Sequence, residues 1–257
     1  MRGNGHHRLV EACARPGCPL CGCLRELAVR HLGAVLSEHV TDPLSRARIA
    51  KAGGFCAAHA AALRKMPDAA LGTAIVYQAL LEQACRWLDA TAGSLATPAR
   101  RGGWRALVGR TRRARGAGRP PRERCPVCLE LAAAERVHVD GLLAGLAEAE
   151  LDAAYAASDG LCLPHLELAL DRAAGGPHAA RLVVRTREKL RTLADDLRRF
   201  VDKHDHRTTP RFTEREATAW RLALSLVAGR AEVFGPQMAR DDVVAGDPAG
   251  RPRRPRR

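Results

Sequence analysis

The 257-residue sequence predicts an all-α protein built as two similar helical units, an internal duplication, followed by a C-terminal helix. Three observations carry that expectation. Apolar residues recur at three- and four-residue steps along several stretches, the signature of one-sided helices. No stretch shows the two-residue alternation of a half-buried strand. One short pattern also occurs twice. Its first copy is Cys18-Pro19-Leu20-Cys21 with Gly54-Phe55-Cys56-Ala57-Ala58-His59, and its second is Cys125-Pro126-Val127-Cys128 with Gly160-Leu161-Cys162-Leu163-Pro164-His165. The opening Cys and closing His stand 41 positions apart in one copy and 40 in the other. A lone CxxC says little, but two CPxC…CxxH sets at matched separation point to a repeated site.

The chain divides in order. Residues 1–17 carry no clear pattern and read as a flexible N-terminus. The first unit, 18–93, opens with a helix through Leu24, Leu27, Val35 and Leu36 that stops at Asp42-Pro43, an N-cap followed by a proline at the first helical position. A short helix from Pro43 ends at Gly53-Gly54, and a helix beginning at Cys56 follows. After Pro67-Asp68 a long helix runs to about Ala92, with Val76, Tyr77, Leu80, Leu81, Ala84, Trp87 and Leu88 on its apolar face and Cys85 beside it in the core. Residues 94–124 form an Arg-rich linker ending near Pro120-Pro121. The second unit, 125–206, repeats the order: Cys pair, helix from about Leu129, short helix near Leu151, and the Cys162/His165 helix. After a Gly175-Gly176-Pro177 break comes a long helix carrying Leu182, Leu190, Leu193, Leu197 and Val201. Thr213-x-x-Glu216 is a capping box that starts a final helix within 207–230, and 231–257 reads as a disordered basic tail.

The chemistry of the repeated pattern is that of a metal site. A CxxC turn aims two sulfurs at one point, and a Cys and a His three apart on a helix's first turn share a face and close a tetrahedron. A Cys3His set of this kind suits Zn²⁺ in a closed structural site. Pro19 stiffens the first turn, and Gly22 is placed to take a positive φ just after the second ligand. A helix N-terminus also favours a thiolate. The expected ligands are Cys18, Cys21, Cys56 and His59 for one ion and Cys125, Cys128, Cys162 and His165 for the other, each set contained within its own unit. Two Zn²⁺ per chain follow. An iron–sulfur cluster fits the same donors and stays open. Cys13 and Cys23 flank the first site as spare thiols, His31 and His39 lie on the first helix, and His204-Asp205-His206 reads as a solvated helix end.

Composition excludes more than it assigns. Aromatics are only 4%, so the core is built from Ala, Leu and Val. No apolar stretch is long enough to span a bilayer and no secretory signal is visible, so a cytoplasmic setting with Cys kept as metal thiolates is expected. The formal charge of +14 is local: Arg100–Arg124 holds +9 and Arg251–Arg257 holds +5, leaving the rest neutral. Ten Arg around Trp104 in the linker can meet nucleic-acid phosphates, and the same run also reads as a solvated tether. No HExxH, Walker loop, GxSxG or deaminase pattern is present, and a closed Cys3His site leaves no position to activate water. No enzyme is expected, and catalytic residues are none.

The twin CPxC…(F/L)CxxH pattern resembles an uncharacterised bacterial family described as a domain of unknown function. The resemblance rests on the eight ligand candidates and on Gly54 and Gly160, over roughly residues 15 to 205. It implies the repeated motif and no activity. The reading is therefore a zinc-binding, non-enzymatic interaction module with a protein partner of unknown identity. The alternatives are an iron–sulfur or thiol redox protein, or a nucleic-acid binder acting through Arg100–Arg124 and the tail.

Overall fold

The computed structural model describes residues 3–96, 122–173, 175–204, 211–230 and 233. Most of the Arg-rich linker, the basic tail, Asp205 and His206 lie outside the described residues. Among those described there are ten helices and no strand. They are α1 (Gly3–Cys13), α2 (Pro19–Ser37), α3 (Pro43–Ala52), α4 (Ala57–Leu63), α5 (Ala70–Ala96), α6 (Pro126–Gly145), α7 (Ala149–Ala157), α8 (Leu163–Ala173), α9 (Pro177–Asp202) and α10 (Glu214–Ala228).

The local rules act where the sequence places them. Asp42 caps α3 by accepting from Ser45 N at 2.7 Å, and Pro43 occupies the first turn, where a missing N–H costs nothing. The helix ends at Gly53 in the left-handed region. Thr213 and Glu216 form the expected capping box at the start of α10, Thr213 Oγ1 accepting from Glu216 N and Glu216 Oε2 from Thr213 N.

The N-terminal stretch corrects the sequence reading. It is not a flexible lead-in but α1, whose Leu9, Ala12 and Cys13 form one buried face against α2, α6 and α7. Val10 packs beside that face, and His6 meets Glu148 and Glu150 at 3.3 and 3.2 Å. Gly22 is likewise no positive-φ turn residue. It lies within α2, because Pro19 carries the chain straight from Cys18 into the helix.

The core runs along α2 and α6, which pack on each other. Leu24, Ala28, Leu32 and Val35 face Leu131, Val139 and Leu142 from stripes at helical spacing, all nearly or wholly buried. The start of each helix lies against the far part of the other: Glu135, midway along α6, reaches the site at the start of α2, and His31, late in α2, interacts electrostatically with Cys125. The two halves therefore meet through these first long helices. On α5 the expected face is only half right. Val76 is buried and Tyr77, Leu80, Ala84 and Trp87 are half-buried, but Leu81 and Leu88 are exposed and so is Cys85. That helix packs mainly on α2 near its start, which leaves its other side to solvent.

The C-terminal helices close the fold by charge as well as by apolar contact. Asp196 of α9 is buried and receives Arg215 of α10 at 2.6 Å and Arg199 from its own helix. Glu216 takes Lys203 at 2.6 Å. The Lys203 ammonium and the capping amide together hold Glu216 down at about 2, against an ordinary 4.5. A depressed carboxylate contributes stability above its unfolded value and loses it as pH falls through its folded value. Glu216→Gln should therefore lower the urea midpoint at neutral pH, and its gap to wild type should narrow progressively below pH 4.5 toward 2. Thr213→Ala should cost about 1 kcal/mol by the same measurement at neutral pH.

Candidate metal centre

Each half-motif has the same construction. A cysteine stands just before the first residue of a helix, and the second donor lies three residues on, in the first turn. Cys18 and Cys21 open α2, Cys56 and His59 open α4, Cys125 and Cys128 open α6, and Cys162 and His165 open α8. In all four, the leading cysteine's carbonyl accepts the first helical bond, from Gly22, Ala60, Leu129 and Leu166 at 2.8–3.1 Å. Donors in these places face the exposed N–H groups and positive dipole end of the helix, which favour thiolates. Gly54 and Gly160, two residues ahead of each CxxH, adopt φ of 102° and 87°, open to glycine and strained for other residues.

The eight donors gather into two sets, and the sets cross between the halves of the chain. Cys18 and Cys21 meet Cys162 and His165; Cys56 and His59 meet Cys125 and Cys128. Within each set the donor atoms all lie within 4.8 Å of one another, and every residue is buried. The expectation of self-contained sets is overturned. The reason is length. Helix α2 carries the chain about 28 Å from its opening cysteines, and α3 can bring it back only about 15 Å. The CxxH that follows thus arrives at the far end of α2, where α6 begins. The same holds for α6 and α7, of 20 and 9 residues.

The distances fit a four-coordinate ion. Metal–sulfur bonds of about 2.3 Å and metal–nitrogen bonds of about 2.0 Å set tetrahedral edges of about 3.8 Å between sulfurs and about 3.5 Å from sulfur to nitrogen. Cys21 and Cys162 sulfurs are 3.7 Å apart, as are those of Cys56 and Cys128. His165 Nδ1 lies 3.4, 3.4 and 3.2 Å from Cys18, Cys21 and Cys162 Sγ. His59 Nδ1 lies 3.1, 3.5 and 3.5 Å from Cys56, Cys125 and Cys128 Sγ. Both histidines present Nδ1, leaving Nε2 on the outer side. Two buried sets of three sulfurs and one nitrogen can each hold a metal ion.

Crowding of the donors shows in their protonation. Burial alone lowers His165 and His59, but the facing sulfurs outweigh it and raise them to about 12 and about 9. Burial raises Cys18, yet contacts with Cys162, Cys21 and His165 pull it well below the ordinary thiol range. Cys125 is lowered too, chiefly by Cys128 and Cys56, while Cys21 and Cys128 are raised by their sulfur neighbours. The donors of each set share protons that a dication would displace as it binds.

Other candidates fall outside the sets. Cys13 and Cys23 are buried near the first set without joining it, and burial pushes Cys13 up to about 11. Cys85 is exposed and belongs to neither. His39 is exposed, and His204 sits between Phe200 and Phe212 with ring centroids 4.3 and 5.0 Å away. Two contributors were missed in the sequence. Glu135 Oε1 lies 3.0 Å from His165 Nε2 in an ion-pair contact somewhat off the line of the N–H bond. His138, the counterpart of His31, interacts electrostatically with His165 as His31 does with His59. A carboxylate interrupting the apolar stripe of α6 was the available signal.

An all-helical fold organised around two Cys3His groups is the class this geometry defines. The chain belongs to DUF6062, described as a family of unknown function, whose profile matches residues 9–213. No curated protein and no solved structure matches it.

Pairing across the halves is open to a metal count. In protein carrying Cys18→Ser with Cys162→Ser, one bound ion should remain; with Cys18→Ser and Cys56→Ser, none should. Native mass spectrometry reads both, and the opposite pattern would restore self-contained sets.

Proposed function

We propose that this protein is a zinc-stabilised, non-enzymatic helical interaction module whose two Cys3His sites are structural. The observation that carries the reading is that all eight donors are buried in sets whose edges match a tetrahedral ion. Four protein donors complete the preferred coordination of Zn²⁺ and leave no position for a reacting water. Three thiolates and an imidazole also suit zinc better than the hard, oxygen-preferring cations. When bound, zinc supplies charge neutralisation and cross-linking; the chain's residues orient it and exclude solvent. Thiolates kept for metal accord with a cytoplasmic, reducing setting. No described helix is long and apolar enough to cross a membrane.

The module's partner surface is supported by α5. Leu71, Leu81 and Leu88 are exposed along it, at steps shared with Ala74, Gln78 and Cys85. An apolar seam of this kind is suited to a protein partner. Nucleic-acid binding through Arg100–Arg124 is the minority reading.

Elemental analysis of protein purified without added metal should return two zinc per chain. Iron with a visible charge-transfer band would replace zinc by a cluster and overturn the assignment. In zinc-loaded native protein a thiol reagent should label Cys85 rapidly, leave buried Cys13 and Cys23 slow, and spare the six ligand sulfurs. Rapid labelling of Cys125 or Cys128 would favour redox chemistry instead. Metal removal should expose all nine thiols and lower the melting temperature sharply.

A further inference from the structure

The two donor sets are built alike, and the sharpest difference between them lies on the long helix facing each one. The buried stripe of α2 runs Cys21, Leu24, Ala28, Leu32, Val35. The matching stripe of α6 runs Cys128, Leu131, Val139, Leu142, with Glu135 in the place that Ala28 holds in α2. A carboxylate in such a stripe is costly unless it meets a partner. Glu135, whose side chain is only 14% exposed, meets His165 Nε2. Neither outer nitrogen has an in-line hydrogen bond among the described residues, but His165 Nε2 has the Glu135 carboxylate against it, whereas Ala28 offers His59 Nε2 nothing. A carboxylate on the outer nitrogen of a ligating imidazole fixes the ring's tautomer and orientation and makes it a stronger donor.

Two other differences point the same way. Cys56, at 9%, is the most exposed of the eight donors. Helix α4, which supplies Cys56 and His59, has seven residues and leans chiefly on α2, whereas α8 is wedged among α6, α9 and α10. Elements with few packed neighbours open more readily.

We propose that Glu135 is a positioning residue that makes the two metal sites unequal: the Cys18/Cys21/Cys162/His165 site keeps its ion as a fixed part of the fold, and the Cys56/His59/Cys125/Cys128 site exchanges its ion with thiol-seeking divalent metal in solution. This rests on the metal-binding reading above. Losing the carboxylate behind a ligating imidazole typically weakens a site by roughly 10- to 100-fold, which sets the expected separation between the two.

The experiment uses the full zinc-loaded chain with ¹⁵N-labelled histidine, titrated with a chelator while zinc release is counted. Half of the zinc should leave first, with the ring nitrogens of His59 shifting while those of His165 stay in place. The second half should need roughly 10- to 100-fold more chelator. In Glu135→Gln the His165 signals should move toward the earlier release and the gap should close, with His59 unchanged; a general loss of stability would shift both. Simultaneous release of both ions from the unaltered chain overturns the proposal without any variant. So does a Glu135→Gln protein that releases both ions as wild type does. A chain that binds no zinc at all overturns the reading beneath it as well.

Discussion

The fold depends on four helix N-termini meeting in two pairs. Each brings two donors and the positive end of a helix to one point, so that dipole and thiolate reinforce one another in a set able to hold a metal ion. The pairing follows from helix length. A helix of nine or ten residues retraces only about half of one of 19 or 20, and each CxxH lies at the far end from the cysteines that opened its own half. The donors are instead shared, and neither half holds a complete site. The halves are consequently not two domains joined by a tether but one body, with α2 against α6 at its centre and an ion-binding set at each end.

The sequence made the class and the parts visible and hid their assembly. Caps and breaks are local chemistry, which is why Asp42-Pro43, Gly53 and the Thr213/Glu216 box were legible. The eight donors were legible because their spacing repeats. Their pairing was not, since spacing along a chain says which residues resemble each other and not which ones meet. The helix lengths needed to exclude self-contained sets were present in the sequence, but helical reach had to be weighed against motif proximity. The faces of α5 were misread for a similar reason: Leu81 and Leu88 keep helical step with Tyr77 and Ala84, and only the placement of α2 decides which side is covered. Helix α1 was missed because a small face of Leu9, Ala12 and Cys13 is informative only once there is a groove to receive it.

Charge divides the molecule in a way that matters for its use. The basic excess sits in segments flanking and following the described body, while inside the fold the charges are spent in pairs such as Asp152 with Arg185, at 2.6 and 2.9 Å, and Asp196 with Arg215. The helical body presents a mixed surface with an apolar seam along α5. The apolar seam of the body and the arginine segments are thus separate features of one chain.

Crossed pairing also gives the chain an order of assembly. The Cys56–Cys128 set lies, in sequence, wholly inside the span from Cys18 to His165, so the two clasps are nested like brackets and tie no knot. The inner one joins residues 66–72 apart and the outer one residues 141–147 apart, so the inner loop is cheaper to close by about 0.6 kcal/mol. During synthesis the inner clasp has all its donors once residue 128 has emerged, while Cys18 and Cys21 wait unpaired until residue 165 follows. The outermost cysteines are the longest exposed on the nascent chain and the last of the donors to be secured, with the two C-terminal helices still to follow.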